Sequence, residues 1–367
     1  MKSLGFLLIA WFSIFSNAAT AAPDLDTQLK PASINQISVV LYNAYLKPWP
    51  FGTADAAYRA QHMTEAMSLA TQRVLGASWP DVIVIAEGFD DHLVGERALG
   101  PRRLDGYLQC QDDRACELKR SLWLSGYRWI TENVGTEGRA IQDGGVFIAS
   151  RYPIESVEKL IYDDYSCTDR FADKGAIYAK IQKSAQTVHV FGTHLQASYF
   201  HSKSGTLLKS CRDTLNDDGV DFEHVREKQL HQLATFIEAQ EIPDDELIVL
   251  AGDMNIPRSS QEYLRMNRLL NTLALEFRSN LAGGQLSTFD NNTNALKQCR
   301  KELAANDRYR RSCGEFDFAP SMWNDYVLFR GGANLVGRPV NSVLEIEYPR
   351  HRDLSDHHAV LGVIEVR

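Results

Sequence analysis

The sequence predicts an α/β protein in which two sheets pack face to face with helices on their outer surfaces, and three observations lead there. First, short apolar runs recur, each the length of one buried strand and each ending in a polar residue: Ile37 to Tyr42 before Asn43, Val82 to Ala86 before Glu87, and Leu247 to Ala251 before Gly252 and Asp253. Second, such runs alternate with helical stretches in one half of the chain and follow one another directly elsewhere, a mixture that suits two packed sheets flanked by helices. Third, 367 residues at 44% hydrophobic and 23% charged suffice for one large α/β domain, and no linker, repeat or low-complexity tract divides them.

Ahead of the first strand, Lys2, the apolar run from Leu4 to Phe15 and the small residues Ala19-Thr20-Ala21 have the pattern of a secretory signal, too short for a membrane span. Cleavage is expected near Ala21 or Ala22, giving a signal peptide over 1–21 and a single domain over 22–367. The mature protein is then expected outside the cytoplasm, extracellular or periplasmic, where its six cysteines can oxidise. Their spacing suggests Cys110 with Cys116 and Cys299 with Cys313, leaving Cys167 with Cys211. Zinc is disfavoured, because no C-x-x-C occurs. The net charge of −8 disfavours long-range attraction to nucleic acid, although a local basic groove could be hidden in that average.

Taken in order, the strand at Ile37 to Tyr42 leads into Lys47-Pro48-Trp49-Pro50-Phe51-Gly52, a loop whose two aromatics read equally as core anchors or as a lipid-facing surface. Ala54 to Leu75 has helical spacing. The second strand, Val82 to Ala86, exits at Glu87. Leu93 to Glu137 reads as loop. Gly144 to Ser150 and Tyr152 to Ile154 read as strand, turn and strand, followed by strands at Ala176 to Ile181 and Thr187 to Phe191, the latter reaching Thr193-His194-Leu195-Gln196-Ala197. The polar stretch from Phe200 to Gly219, with Cys211, is expected to be a disulfide-tethered excursion. A helical stripe over Val220 to Glu238 feeds the Leu247 strand, and a helix spans about Gln261 to Leu270. Strands at Asp325 to Phe329, Val343 to Glu347 and Ala359 to Val366 close the chain, with Leu354-Ser355-Asp356-His357-His358 between the last two.

In an extended strand Asp253 and Asn255, two apart, would project to one side, whereas an isolated Gly-Asp-x-Asn also reads as an Asx turn. The polar exits at Asn43, Glu87, Asp253 with Asn255, and Asp356 with His357 would gather at one end of a two-sheet sandwich. Carboxylate and amide oxygens favour a hard cation, Mg²⁺ before other divalent ions, which could neutralise a phosphate oxygen and a departing alkoxide. Of the two histidines, one could take a proton from water and the other, protonated, could bind phosphoryl oxygens.

The order Asn43, Glu87, His194, Gly252-Asp253-Met254-Asn255, Asp325 and Ser355-Asp356-His357 resembles the endonuclease/exonuclease/phosphatase superfamily, with its DNase I-like four-layer sandwich. Within it, Thr193-His194-Leu195-Gln196-Ala197, Gly144-Gly145-Val146 through Tyr152-Pro153-Ile154, and Ser287-Thr288-Phe289-Asp290 look like the secreted bacterial neutral sphingomyelinases. The resemblance implies that Glu87 and Asn43, with Asp356, hold Mg²⁺. It implies His357 as general base with Asp325 orienting it, Asp253 and Asn255 placing water and phosphate, and His194 stabilising the phosphoryl group. Asp173-Lys174-Gly175 resembles a motif implied to act as a switch, the acid engaging the lysine when the site is competent.

The implied substrate is sphingomyelin in a membrane, met peripherally by a monomer; the implied alternatives are another phospholipid or, as in the nucleases of this fold, DNA. A non-catalytic binding module on the same fold is the third reading. Departures from the pattern are Gly88, where the family usually has a larger apolar residue, and Glu345 to Asp353, which offers only Tyr348 where the toxins have an aromatic hairpin. Trp49 and Phe51 are then the expected lipid-facing pair, Tyr199 or Phe200 could face choline, and His351 and His358 are expected to stay out of the chemistry.

Overall fold

The computed structural model describes residues 35–47, 55–76, 79–90, 114–135, 140–199, 211, 221–281, 283–290, 294, 296, 321–332, 335–349 and 353–367. The expected signal segment, and the expectations placed on Trp49, Phe51, Cys110, Phe200, Cys299, Cys313 and His351, lie outside the described residues.

The chain opens with β1 (Gln36–Leu46), α1 (Ala56–Leu75) and β2 (Val82–Gly88), then α2 (Arg114–Leu124) and the short β3 (Trp129–Ile130) and β4 (Gln142–Asp143). Next come β5 (Phe147–Ser150), β6 (Ile154–Ile161), a 3₁₀ turn at Cys167–Phe171, β7 (Ala172–Asp173) and the hairpin of β8 (Gly175–Lys183) with β9 (Gln186–His194). α3 (Phe222–Glu238), β10 (Leu247–Asp253) and α4 (Gln261–Leu270) lead to β11 (Glu276–Ser279), β12 (Phe289–Asp290) and β13 (Ser321–Met322). β14 (Asp325–Gly331), β15 (Leu335–Leu344) and β16 (Ala359–Val366) end the chain.

One sheet of seven strands runs β11-β15-β16-β1-β2-β5-β3 and a second of five runs β14-β10-β9-β8-β6. Both are mixed: β1–β2, β9–β10 and β11–β15 pair parallel, the other neighbours antiparallel. Alternation along β1 explains the layers. Ile37, Val39 and Leu41 face the core shared with Val190, Val249 and Val327 of the other sheet, whereas Val40, Tyr42 and Ala44 face Ala60, Met63 and Met67 of α1 and Leu118 and Leu122 of α2. Leu230, Leu233 and Ile237 of α3 and Met266 and Leu270 of α4 pack against the five-stranded sheet, where Phe191 meets Phe236 edge-on and Tyr263 stacks on Tyr326. The result is a four-layer α/β sandwich with the DNase I-like order of helix, sheet, sheet, helix. Asp221 and Ser260 mark the starts of α3 and α4 by accepting the backbone N–H groups of His224 and Tyr263.

Several stretches differ from the sequence reading, among them β6 and β11, whose exposed and polar residues hid them. The segment read as loop contains α2, whose stripe of Ala115, Leu118 and Leu122 is masked by the charged residues between them. The strand expected at Val343 to Glu347 lies earlier, over Leu335–Leu344, because the ladder slips between Val336 and Val340 around exposed Gly337 and Arg338 and so loses the clean alternation. Cys167 and Cys211 form the expected disulfide, and Cys116 is also disulfide-bonded.

Candidate active site

Topology brings the polar strand exits together. Because β1 and β2 run parallel with Asn43 opposite Ala86, Asn43 and Glu87 emerge side by side. β9 and β10 are also parallel and place His194 opposite Asp253, while β14 runs back along β10 so that its first residue, Asp325, lies on the other side of Asp253. β16 is antiparallel to β1, which sets Ser355, Asp356 and His357 at the exit of β1. Gly252 permits this approach, since a Cβ there would sit 2.4 Å from the Thr193 carbonyl oxygen. Gly88 has a similar cause: a Cβ would strike Ile85 and Phe147 at 2.8 and 2.9 Å, so this chain fills with Phe147 the space a larger residue would take.

The side chains interlock across the two sheets. Asn43 Nδ2 donates to Asp253 Oδ2 at 3.0 Å and to Glu87 Oε1 at 3.3 Å. His357 Nδ1 meets Asp325 Oδ2 at 2.8 Å, which leaves Nε2 facing Asp253 Oδ2 at 3.8 Å. His194 Nε2 lies 3.7 Å from the same Asp253 oxygen. Asn255 donates its backbone N–H to Asp253 Oδ1 and its side-chain amide to Leu195 O, so Asp253 both closes an Asx turn and faces the site. Glu87 and Asn255 hold φ near +51°, an uncommon conformation for residues with a Cβ, and its occurrence at two exits marks the cluster.

Burial and neighbouring charge set the protons. For His357, burial opposes the charged form, but Asp325 and then Asp253 outweigh it and raise the pKa to about 10. Asp253 is raised by burial and by Asp325. His194 is pushed well below its ordinary value by burial, then by Lys174 and His357, so it is the neutral imidazole of the pair, not the protonated one the sequence suggested. Lys174 Nζ lies 3.2 Å from His194 Nε2; an ammonium can only donate there, which puts the imidazole proton on Nδ1, a buried atom with no partner among the described residues. Lys174 thereby supplies the positive charge that the imidazole does not.

Several contributors were not legible in sequence. Asp169 forms the ion pair with Lys174 at 2.9 Å and also accepts from Ala197 N and Tyr199 Oη. The carboxylate of Asp173 accepts from Ala140 N in this state of the site. Tyr199 is thus committed to Asp169, and Tyr348 stacks on His62 of α1. His358 is buried, with its backbone N–H on Thr288 O. Thr288 Oγ1 accepts from Asn324 N and Asp325 N, and Phe289 packs on the His357 ring at 4.9 Å; the Ser287-Thr288-Phe289-Asp290 motif was the available signal for both.

The donor set fits a hard divalent cation. Glu87 Oε2 is buried with no hydrogen-bond partner among the described residues, and Lys47 Nζ lies 3.8 Å from it. Glu87 and Asp356 offer carboxylate oxygens, as such an ion prefers, whereas Asn43 turns its amide nitrogen toward Glu87 and its Oδ1 accepts from Tyr45 N at 3.1 Å, so Asn43 would join them only with its amide turned over. The ligand atoms of Asp253, Asp325 and His357 lie within 4.8 Å of one another, but the bond of His357 Nδ1 to Asp325 at 2.8 Å makes them an oriented acid–imidazole arrangement and a poorer ligand set.

Comparison with known proteins agrees with this geometry. The sequence profile described as the Endonuclease/Exonuclease/phosphatase family matches residues 42–357. Over 293 residues the chain is 26% identical to a sphingomyelinase C of Listeria ivanovii, spanning 77% of this chain and 74% of that one. Its fold is similar to crystal structures of sphingomyelinase C from Streptomyces griseocarneus, with a TM-score of 0.61 at 23% identity over 89% and 99% of the two chains. It is also similar to a Staphylococcus aureus beta toxin with bound magnesium ions, with a TM-score of 0.59 at 18% identity over 90% and 100%.

Proposed function

The chain belongs to the endonuclease/exonuclease/phosphatase family, and from that premise we propose that it is a secreted, Mg²⁺-dependent sphingomyelinase of the phospholipase C type. It hydrolyses sphingomyelin to ceramide and phosphocholine. The observation that carries this reading is the convergence of Glu87, Asp253, Asp325 and Asp356 on two imidazoles whose proton affinities are pushed apart, as acid–base chemistry needs. The sphingomyelin specificity is supported by the Thr193-His194-Leu195-Gln196-Ala197 motif and by the relatives' names.

Glu87 and Asn43, with Asp356, would hold Mg²⁺. When bound there, the ion supplies positive charge that stabilises a phosphoryl oxygen and the departing ceramide alkoxide and offsets the acidic field holding the proton on His357. His357 Nε2 takes the proton of the attacking water, while Asp325 keeps Nδ1 protonated and fixes the ring. Asp253 and Asn255 place the water and phosphate. His194 Nδ1–H donates to the phosphoryl oxygens as charge builds, with Lys174 behind it as a fixed cation. Water oxygen joins phosphorus, the bond from phosphorus to the ceramide oxygen breaks, and the departing alkoxide takes up a proton from solvent, giving ceramide and phosphocholine.

The Lys174 half of the switch motif is part of this proposal, with Asp173 as its modulator, as is peripheral membrane contact through Trp49 and Phe51. The test is release of phosphocholine from sphingomyelin vesicles by the purified protein, with Mg²⁺ and with EDTA. Release that EDTA abolishes is expected. No release, or release indifferent to EDTA, would overturn the proposal, and nicking of plasmid DNA in its place would move the substrate to nucleic acid.

A further inference from the structure

Arg59 lies within the first turns of α1, and no sequence signal marks it. It is fully buried, and its guanidinium donates to three backbone carbonyls: Nη1 to Ala44 O at 3.1 Å and Leu354 O at 2.8 Å, Nη2 to Tyr45 O at 2.9 Å. Burying a cation is costly, and an apolar side chain would fill the same helix face without that cost, so packing alone does not account for an arginine here. What the three carbonyls share is their place in the chain. Ala44 and Tyr45 follow Asn43, and Leu354 precedes Ser355, Asp356 and His357. Tyr45 itself holds φ +50°, a conformation that needs outside support, and the guanidinium carbon also lies 5.8 Å from its ring centroid. Ser355 Oγ closes the same junction from its other side, donating to Asn43 O at 2.5 Å and accepting from His357 N at 3.2 Å.

We infer that Arg59 is a positioning residue of the active site, a rigid three-point clamp that fixes the loop leaving Asn43 against the loop carrying Asp356 and His357. Only a planar guanidinium reaches three acceptors in this way; a lysine ammonium at the end of its stem reaches fewer, so the ranking of variants is part of the inference. The role in turnover rests on the proposed hydrolase activity, whereas the clamp itself does not.

The test uses Arg59→Met and Arg59→Lys in the full chain. Hydrogen exchange read by mass spectrometry should accelerate about tenfold in both 43–47 and 353–358 in Arg59→Met, less in Arg59→Lys, with 247–253 unchanged. Calorimetric titration with Mg²⁺ alone should show weaker binding in the same order. For phosphocholine release, kcat should fall about ten- to a hundredfold while KM stays within about twofold, since misplacement of reacting groups costs turnover before it costs binding. Should Arg59→Met not fold, Arg59→Lys carries the same comparisons. Unchanged exchange in either segment overturns the clamp. Parental kcat and Mg²⁺ affinity in both variants overturn its role in the site. If the parent itself releases no phosphocholine, the hydrolase reading fails and the exchange experiment still decides Arg59.

Discussion

The two ends of the sandwich both bury charge, and they do so in opposite ways. At the end away from the strand exits, Lys183 of β8 reaches across to Asp81, which precedes β2, with 2.8 Å between Nζ and Oδ2. The same oxygen accepts from Ser38 N and Oγ, and the ammonium also donates to Gln36 O. One cation meets one anion, and the pair ties the two sheets. At the exit end, Glu87, Asp253, Asp325 and Asp356 stand with Lys47, His357 and a neutral His194, the nearby Lys174 being paired with Asp169. A buried pair that is balanced serves the fold. A cluster in which acids outnumber their cations stores a field that a divalent ion and a phosphate reaction can use, at a cost to the stability of the apoprotein.

That contrast can be broken from either side. The largest effect is expected for His357→Ala, which removes the proposed base: phosphocholine release should fall about a thousandfold or more, while far-ultraviolet circular dichroism shows the fold retained. At the balanced end, Lys183→Met leaves Asp81 buried and uncompensated, so urea unfolding should show a loss of about 3–5 kcal/mol, with kcat per folded molecule unchanged. A loss of turnover there would show that the two ends are not independent.

Glu87→Gln should do the reverse, lowering turnover about a hundredfold at fixed Mg²⁺ while raising Tm in chelator, because it relieves like-charge repulsion. A lower Tm in chelator would contradict the stored-field picture. The smallest effect concerns His189, whose pKa burial lowers although its bond to Glu246 opposes the shift. Below about pH 6.5 the unfolded chain takes up a proton that the folded one resists, so its contribution to stability is complete above that pH and declines as pH falls. His189→Gln should flatten that part of the stability profile.

How much of this was legible follows from which physics each residue obeys. Strands such as Val82–Gly88 and Leu247–Asp253 announced themselves because both faces are buried and the apolar run is continuous, and their polar ends pointed to the site residues. Strand exits can be read from sequence; partners that depend on how loops fold over them cannot. Asp169, Thr288, Ser355 and Arg59 act through backbone groups or through partners up to 312 positions away, as with Leu354 for Arg59 and Asn43 for Ser355. The protonation of the two imidazoles was likewise out of reach, because it depends on Lys174 lying on His194 and on two carboxylates lying beside His357. Residue type suggested a pair of histidines with divided roles, and only their surroundings say which one holds the proton.

The central claim is that the acid-rich end works as a magnesium-dependent phosphodiesterase centre through Glu87. Its most direct test is phosphocholine release from sphingomyelin vesicles by the parent and by Glu87→Gln across one Mg²⁺ titration. The account predicts saturable activation of the parent from a baseline near zero, and a midpoint for Glu87→Gln displaced to much higher Mg²⁺ with a lower plateau. Superimposable curves, or full release before any Mg²⁺ is added, would contradict it.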